Sequence, residues 1–192
     1  MELNEIKEEF KNLKLENQLE LEEIPEIDLY MDQVIQLFDG KFNESKRNEE
    51  DKALTKTMIN NYAKGKLLMS VKNKKYSKEH LILMSLIYNL KGSLSINDIK
   101  SSLDKIVKTI DKDEDYPIRN LYKAYLELHK KDYTFVEESL DEKIKEIEDL
   151  LENKDFSEFE HNFLLMSSFI NMSNMYRKMG EKLIDDYFSK LK

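Results

Sequence analysis

The segment TKTMINNYAKGKLLMSVKNKKYSKEHLILMSLIYNL, residues 55–90, decides how the rest of this 192-residue chain is interpreted. It opens with a short predicted helix, which Thr55 can cap and Gly65 can end. Residues 71–75 lack the helical period and contain an Asn-Lys turn, which predicts a two-stranded ribbon. From Ser77 onward, apolar residues return at helical spacing. We therefore expect a long helix there, at the centre of the core.

Charge is distributed unevenly along the chain. The net charge is −8, yet residues 52–78, here called the basic segment, contain eight lysines and no Asp or Glu. A partner responds to the potential within about 8 to 10 Å of the surface, so a local excess of lysine can bind an anion even on an acidic protein. A lysine run is also typical of a solvated face, and this second interpretation stays open.

Composition predicts an all-α, mainly helical fold. Only four Gly and two Pro are available for tight turns, and 40% of the residues are hydrophobic, which suits a folded core. Cysteine is absent, which excludes disulfides and thiolate chemistry and fits a reducing compartment. The acidic N-terminus is unlike a secretory signal, and polar residues interrupt the most apolar run, 163–179. We therefore expect a cytoplasmic protein with no membrane association.

The pattern of helices and turns predicts three parts. Residues 1–23 form an acidic amphipathic arm. Residues 24–108 form a winged helix-turn-helix-like domain with a small β-ribbon wing, in which the first helix is expected to begin at Pro25 and end near Gly40. Residues 109–192 form a C-terminal helical bundle for dimerisation or sensing.

Capping signals mark the starts of later helices. Ser-x-x-Asp at 95–98, Thr-x-x-Glu at 134–137 and Ser-x-x-Glu at 157–160 each predict a helix N-terminus. The last helix contains more Phe, Met and Tyr than one buried face needs. Because methionine adapts to partner surfaces and pockets, three interpretations stand for this helix. They are a core helix, a homodimer through the C-terminal helices, and a pocket for an apolar effector.

The order of helix, loop, short helix, ribbon and long helix is typical of a winged helix-turn-helix, which places its second helix in the major groove. Asparagine matches the hydrogen-bonding edge of adenine, and lysine suits phosphate. The predicted DNA-binding residues of the second helix are Lys56, Asn60, Asn61 and Lys64. The predicted phosphate contacts of the wing are Lys72, Lys74, Lys75 and Lys78. The two asparagines are also typical of helix caps and solvated faces, and Tyr62 and Tyr76 are assigned to the core.

Two known families share these features. The residues Thr-Met-Ile-Asn-Asn-Tyr (57–62), Leu67-Leu68 and Lys74-Lys75-Tyr76 resemble the head of MerR-type regulators. The whole run from residue 24 to residue 99 resembles the bacterial family known as domain of unknown function 1836, which is helix-turn-helix-like and has no established activity. The resemblance implies a fold more than a function.

The sequence carries no pattern typical of a catalytic or cofactor site. His80, His129 and His161 fall on separate predicted helices without metal-ligand spacing, and no Gly-rich phosphate loop or nucleophile motif is present. We expect no enzymatic activity, no metal and no cofactor. The leading hypothesis is a DNA-binding transcriptional regulator whose partner is double-stranded DNA. The alternative is a non-enzymatic protein-interaction or adaptor module whose basic face binds an acidic partner, one candidate being the protein's own acidic arm.

Overall fold

The computed structural model describes residues 3–112, 114–152 and 156–191. Within these ranges the fold is mainly helical, which confirms the predicted all-α class. The helices are α1 (Leu3–Asn12), α2 (Met31–Phe42), α3 (Lys56–Lys64), α4 (Lys78–Leu90), α5 (Ile96–Asp111), α6 (Ile118–Leu151) and α7 (Glu158–Asp186). Two short strands, β1 (Leu29–Tyr30) and β2 (Lys75–Tyr76), pair antiparallel. None of the helices in the described ranges combines the length and apolar character needed to span a lipid bilayer.

Helix α4 lies at the centre of the main core, as its apolar sequence predicts. Every residue from Leu81 to Ile87 is buried, and a helix that is buried on all sides must be surrounded by other elements. Helix α2 covers one side, where the Phe42 and Tyr88 rings lie 4.3 Å apart between centroids. The cluster of buried apolar side chains around α4 extends along the chain from Leu19 to Leu126.

A second, smaller apolar cluster joins α1, the C-terminal half of α6 and the N-terminal half of α7. Its buried members are Ile6, Ile144, Ile147 and Leu165. Helix α6 contributes its first turns to the main core and its last turns to this cluster. The predicted parts 1–23, 24–108 and 109–192 are therefore linked through shared cores: buried residues of the predicted arm and the start of α6 complete the main one.

Helix α6 corrects one predicted boundary. The Thr-x-x-Glu motif at 134–137 does not start a helix, because α6 runs without a break over 34 residues. The Thr134 hydroxyl instead donates a 3.1 Å hydrogen bond to the Lys130 carbonyl, one turn earlier. Serine and threonine make this bond inside helices as readily as they cap them, and no Pro or Gly interrupts the segment. The motifs at 95–98 and 157–160 are confirmed as capping boxes.

Helix α2 begins later than predicted. The expected start at Pro25 is wrong, because Leu29 and Tyr30 are extended and pair with Tyr76 and Lys75, and α2 follows at Met31. The helix then continues through Gly40 to Phe42, whose ring is buried. The start of α2 is set by strand pairing with residues more than forty positions away, and no local signal in the sequence predicts that pairing.

Candidate nucleic-acid interface

Helix α3 exposes the polar residues predicted for its outer face. The Thr55 hydroxyl caps the helix by accepting a 3.1 Å hydrogen bond from the Met58 backbone N–H. The inner face buries Ile59 and Tyr62. The outer face exposes Lys56, Asn60, Asn61 and Lys64. Residues three and four positions apart share one side of a helix, so these four side chains form one polar surface.

Helix α3 ends in a tight reversal that brings another lysine to this region. The Lys66 N–H donates to the Ala63 carbonyl at 3.1 Å, and the Leu67 N–H donates to the Tyr62 carbonyl at 2.9 Å. This bonding pattern is a Schellman motif, which needs a left-handed residue just past the helix end. Lys66 takes that conformation with φ of 58° and is exposed. Gly65 is the C-cap of α3, as predicted, and Lys66 is not among the residues predicted to contact DNA.

The predicted wing is a tight turn at residues 72–75. The Lys75 N–H donates to the Lys72 carbonyl at 3.0 Å. Asn73 and Lys74 have φ angles of 53° and 60°, the pattern of a type I′ hairpin turn. The predicted Asn-Lys turn is thus present, but the two-stranded ribbon predicted at residues 71–75 is wrong, because β2 pairs with β1 and the turn itself closes only one antiparallel bridge, Lys72 with Lys75. Lys72 and Lys74 are exposed at its tip, whereas Lys75 is half-buried.

The turn and α3 flank the N-terminus of α2. The Lys75 ammonium lies 5.0 Å from the centroid of the Tyr30 ring, a cation–π contact. Two residues further on, Asp32 forms a 2.8 Å ion pair with Lys56 at the start of α3. Tyr30 and Asp32 are close in the chain, so these contacts bring the turn and the start of α3 to the same edge of the molecule. The exposed residues Lys56, Asn60, Asn61, Lys64, Lys72 and Lys74 are called the basic surface below.

Lys78 does not belong to the basic surface, and its prediction as a phosphate contact is wrong. Its side chain is only 7% exposed. The ammonium donates to the Ile24 carbonyl at 3.0 Å and to the Glu26 carboxylate at 2.7 Å. These bonds hold the segment before β1 against the start of α4. Hydrogen bonding to Lys78, with a further bond to Arg119, lowers the pKa of Glu26 below its usual value. Lys78 is therefore a structural cation.

The acidic arm lies on α6 rather than over the basic surface. Lys7 forms a 2.6 Å ion pair with Asp141, and the Phe10 ring stacks on Tyr133 at 5.0 Å. Further along, Glu20 forms a 2.8 Å ion pair with Lys130. The expectation that the arm is a candidate occupant of the basic face is therefore wrong. The lysines of α3 and of the turn tip remain exposed.

His80 and His129 each have a polar partner within the protein. His80 is buried in the first turn of α4, where its Nδ1 accepts a 3.2 Å hydrogen bond from the Ser77 backbone N–H. His129 lies 2.7 Å from the Gln18 amide nitrogen through its Nε2 atom. No group of three His, Asp or Glu side chains in the described ranges has an arrangement suited to a metal ion.

Comparison with known proteins supports a family assignment. Searches of curated proteins and of solved structures found no match. A family model described as domain of unknown function (DUF1836) matches residues 19–125, which is more than half of the chain. The matched range coincides with the main core, whose buried residues extend from Leu19 to Leu126. The chain therefore belongs to the DUF1836 family.

Proposed function

We propose that the protein binds double-stranded DNA through the basic surface and acts as a transcriptional regulator without enzymatic activity. The observation that carries the proposal is the exposure of Lys56, Asn60, Asn61 and Lys64 on one side of α3, within a segment that contains no acidic residue. In the proposed complex α3 lies in the major groove, and the turn at 72–75 lies along the phosphates. This corresponds to a winged, MerR-like use of the two elements.

The hydrogen-bonding chemistry of α3 supports a role in base recognition. In an asparagine amide the NH2 group can donate to N7 of adenine while the carbonyl oxygen accepts from N6–H in the major groove. Asn60 and Asn61 are both exposed, and neither lies on the face of α3 that enters the core. Lysine on either side would fix the helix against phosphates, which positions the asparagines without contributing sequence preference.

The ion pair between Lys56 and Asp32 does not oppose this proposal. Both side chains are largely exposed, at 66% and 70%. Exposed pairs of this kind contribute about 0 to 1 kcal/mol, so phosphate can replace the Asp32 carboxylate at little cost. Asp32 also disfavours a close phosphate on its own side. It therefore sets a boundary to the DNA footprint next to α2.

Salt dependence provides the first test. If Lys56, Lys64, Lys72 and Lys74 each neutralise one phosphate, the logarithm of affinity should fall with the logarithm of salt with a slope of about −3.6. The measurement is fluorescence anisotropy with a random-sequence duplex between about 50 and 200 mM salt. Absence of binding at the lowest salt, or an affinity that does not change with salt, would exclude the proposal.

Substitutions separate base contacts from phosphate contacts. Lys64→Gln and Lys74→Gln should each reduce the slope by about 0.9 and weaken all duplexes alike. Asn60→Ala and Asn61→Ala should instead change the sequences selected from a randomised duplex library. The matched control is Lys145→Gln, which removes an exposed lysine from α6. An equal loss with the control would show that the basic surface has no special role.

The adaptor hypothesis makes a different prediction in the same assay. Poly-glutamate, as a probe of acidic protein partners, should then bind with the same dependence on Lys64 and Lys74, while the duplex should not bind. That result would replace DNA with an acidic protein as the partner of the basic surface.

A further inference from the structure

Helix α7 exposes much more apolar surface than a helix of an isolated domain normally does. Tyr176, Met179 and Leu183 are 64%, 67% and 61% exposed, although each is large and apolar. A monomeric protein seldom exposes a continuous apolar patch larger than about 300–600 Å². The sequence favoured a core, a dimer interface or a ligand pocket for this helix, and the exposure of these residues excludes a simple core role for its C-terminal half.

A subset of the apolar residues of α7 follows the spacing of a helix-pairing seam, while Ile170 and Met175, which are also exposed, lie off it. From Leu165 to Leu183 the apolar positions are separated alternately by four and three residues, as in a coiled coil, and a further step of four residues leads to Tyr187, just past the end of α7. They are Phe169, Met172, Tyr176, Met179, Leu183 and Tyr187, here called the α7 stripe. Such a stripe faces a second helix wherever it is buried.

The beginning of this seam already has a partner helix. Leu165 is buried with Ile144 and Ile147 of α6. Further along, α7 approaches α5, and there Ile184, on a different side of α7, is the buried residue. Between these two points the stripe stays uncovered along much of its length, since Tyr176, Met179 and Leu183 are each more than 60% exposed. Within the described residues, it lacks the covering helix that its spacing indicates.

A cleft opens where α7 diverges from α6. It has a volume of about 1020 Å³, and its walls include Phe10 of α1, Phe135 and Val136 of α6, and Met166 and Phe169 of α7. Small-molecule pockets usually have volumes of about 300–1,000 Å³, so the cleft alone would suit a large apolar ligand. Met179, Leu183 and Tyr187 do not line it, however. A small molecule in the cleft would leave these three side chains exposed.

We propose that the occupant is a second copy of this chain. In a two-fold dimer, the end of the α7 stripe outside the cleft (Met179, Leu183 and Tyr187) packs into the cleft of the other protomer, whose walls include that protomer's Phe169, Met172 and Tyr176. The end of the α7 stripe outside the cleft and the cleft itself lie on the same chain, and an isologous interface requires this self-complementarity. The side chains of the stripe and of the cleft walls are partly buried in the protomer, with exposed fractions that include 36% for Phe169 and 67% for Met179, so together they offer several hundred Å², the order of the roughly 800 Å² per partner of a standard interface. This inference does not depend on DNA binding.

The test is the molar mass of the full chain, measured by size-exclusion chromatography with light scattering at micromolar concentration. The expected value is twice the 23.0 kDa of the chain. Met179→Glu and Tyr176→Glu should give the mass of a single chain, because each buries a charge without a partner, and should raise the dimer dissociation constant at least about 100-fold. Both residues are exposed in the protomer, so helical content by circular dichroism should not change.

The matched control is Asn174→Glu. Asn174 is exposed and lies on the side of α7 opposite the stripe, two residues from Tyr176. This variant should keep twice the chain mass. A wild-type mass of 23.0 kDa at the highest concentration would overturn the proposal. So would a dimer that survives both stripe substitutions. A single-chain wild type that binds anilinonaphthalene sulfonate and loses it in Met166→Glu would identify the cleft as a small-molecule pocket instead.

Discussion

The Tyr122 hydroxyl donates a 2.6 Å hydrogen bond to the Leu19 carbonyl, 103 residues earlier in the chain. The same oxygen lies 2.8 Å from the Ser85 hydroxyl on α4. Tyr122 and Ser85 are fully buried, and so is Leu19. Burial raises the pKa of the Tyr122 phenol, so the group stays neutral and keeps its proton for this bond. One side chain of α6 thus ties the segment before β1 to the central helix of the main core.

Removal of this hydroxyl should destabilise the fold. Tyr122→Phe leaves the Leu19 carbonyl without its donor in a site that water does not reach, and we expect a loss of about 1–3 kcal/mol in the free energy of unfolding. The measurement is urea denaturation followed by circular dichroism. Tyr30→Phe is the matched control, since the Tyr30 side chain is exposed. Equal stabilities for the two variants would show that the buried hydroxyl contributes nothing.

Gly65 should not tolerate a methyl group. A Cβ at this position would lie 2.7 Å from Cδ1 of Leu67 and 3.1 Å from the Asn61 carbonyl oxygen. Leu67 is fully buried and has little freedom to move. Gly65→Ala should therefore cost about 1–3 kcal/mol of stability through overpacking.

Gly40 provides the opposite case for the same substitution. It lies inside α2, and a Cβ there would meet no atom within 4 Å. Alanine is favoured over glycine in a helix interior, so Gly40→Ala should add about 0.5–1 kcal/mol to the free energy of unfolding. Thermal and urea denaturation of Gly65→Ala and Gly40→Ala measure both changes in the free energy of unfolding. A stabilising effect at position 65 would contradict the close approach of Leu67.

Some elements of this fold could be predicted because their signals are local. A capping box needs only two side chains three positions apart, and both confirmed boxes, at 95–98 and 157–160, close within one turn. The similar pattern at 134–137 does not cap a helix, because the Thr134 hydroxyl has a competing acceptor in the carbonyl of Lys130. Sequence spacing alone cannot decide between these two bonds.

Other features depend on contacts between distant parts of the chain. Charge pattern predicted that Lys78 would face solvent with the other lysines of the basic segment. The Ile24 carbonyl and the Glu26 carboxylate, more than fifty positions earlier, accept hydrogen bonds from its ammonium instead. The outward direction of Asn60 and Asn61 was easier to predict, because the helical period fixes it once Ile59 and Tyr62 are placed inside.

The turn at 72–75 allows stability and DNA binding to be separated. Lys74 occupies a left-handed conformation with φ of 60°, which glycine adopts without the penalty of a side chain. Lys74→Gly should raise the free energy of unfolding by about 1 kcal/mol. It should also weaken duplex binding and reduce the salt slope by about 0.9, because an exposed lysine is lost.

Lys74→Gln is the control for this separation. Glutamine removes the charge but keeps the strained conformation, so it should weaken duplex binding to the same extent without the gain in stability. Denaturation curves and anisotropy titrations of the two variants supply both quantities. If Lys74→Gly is more stable and binds DNA as the wild type does, Lys74 does not contact phosphate.

Stability should fall in mild acid because of His80. Its Nδ1 accepts from the Ser77 N–H, so the ring proton is on Nε2, which lies 3.3 Å from the Met69 carbonyl. Burial lowers the pKa of His80 below its usual 6.5, an effect that nearby carboxylates of Glu79, Asp28 and Asp111 only partly oppose. As the pH falls below about 6.5, the unfolded chain binds a proton that the folded chain does not, so the folded state loses up to about 1.4 kcal/mol per pH unit until the lowered pKa is reached.

His80→Gln keeps a side-chain acceptor for the Ser77 N–H but does not titrate. Urea denaturation between about pH 7 and pH 5 should therefore show a steeper loss for the wild type than for this variant, whereas parallel curves would show that His80 takes up its proton equally well in the folded state.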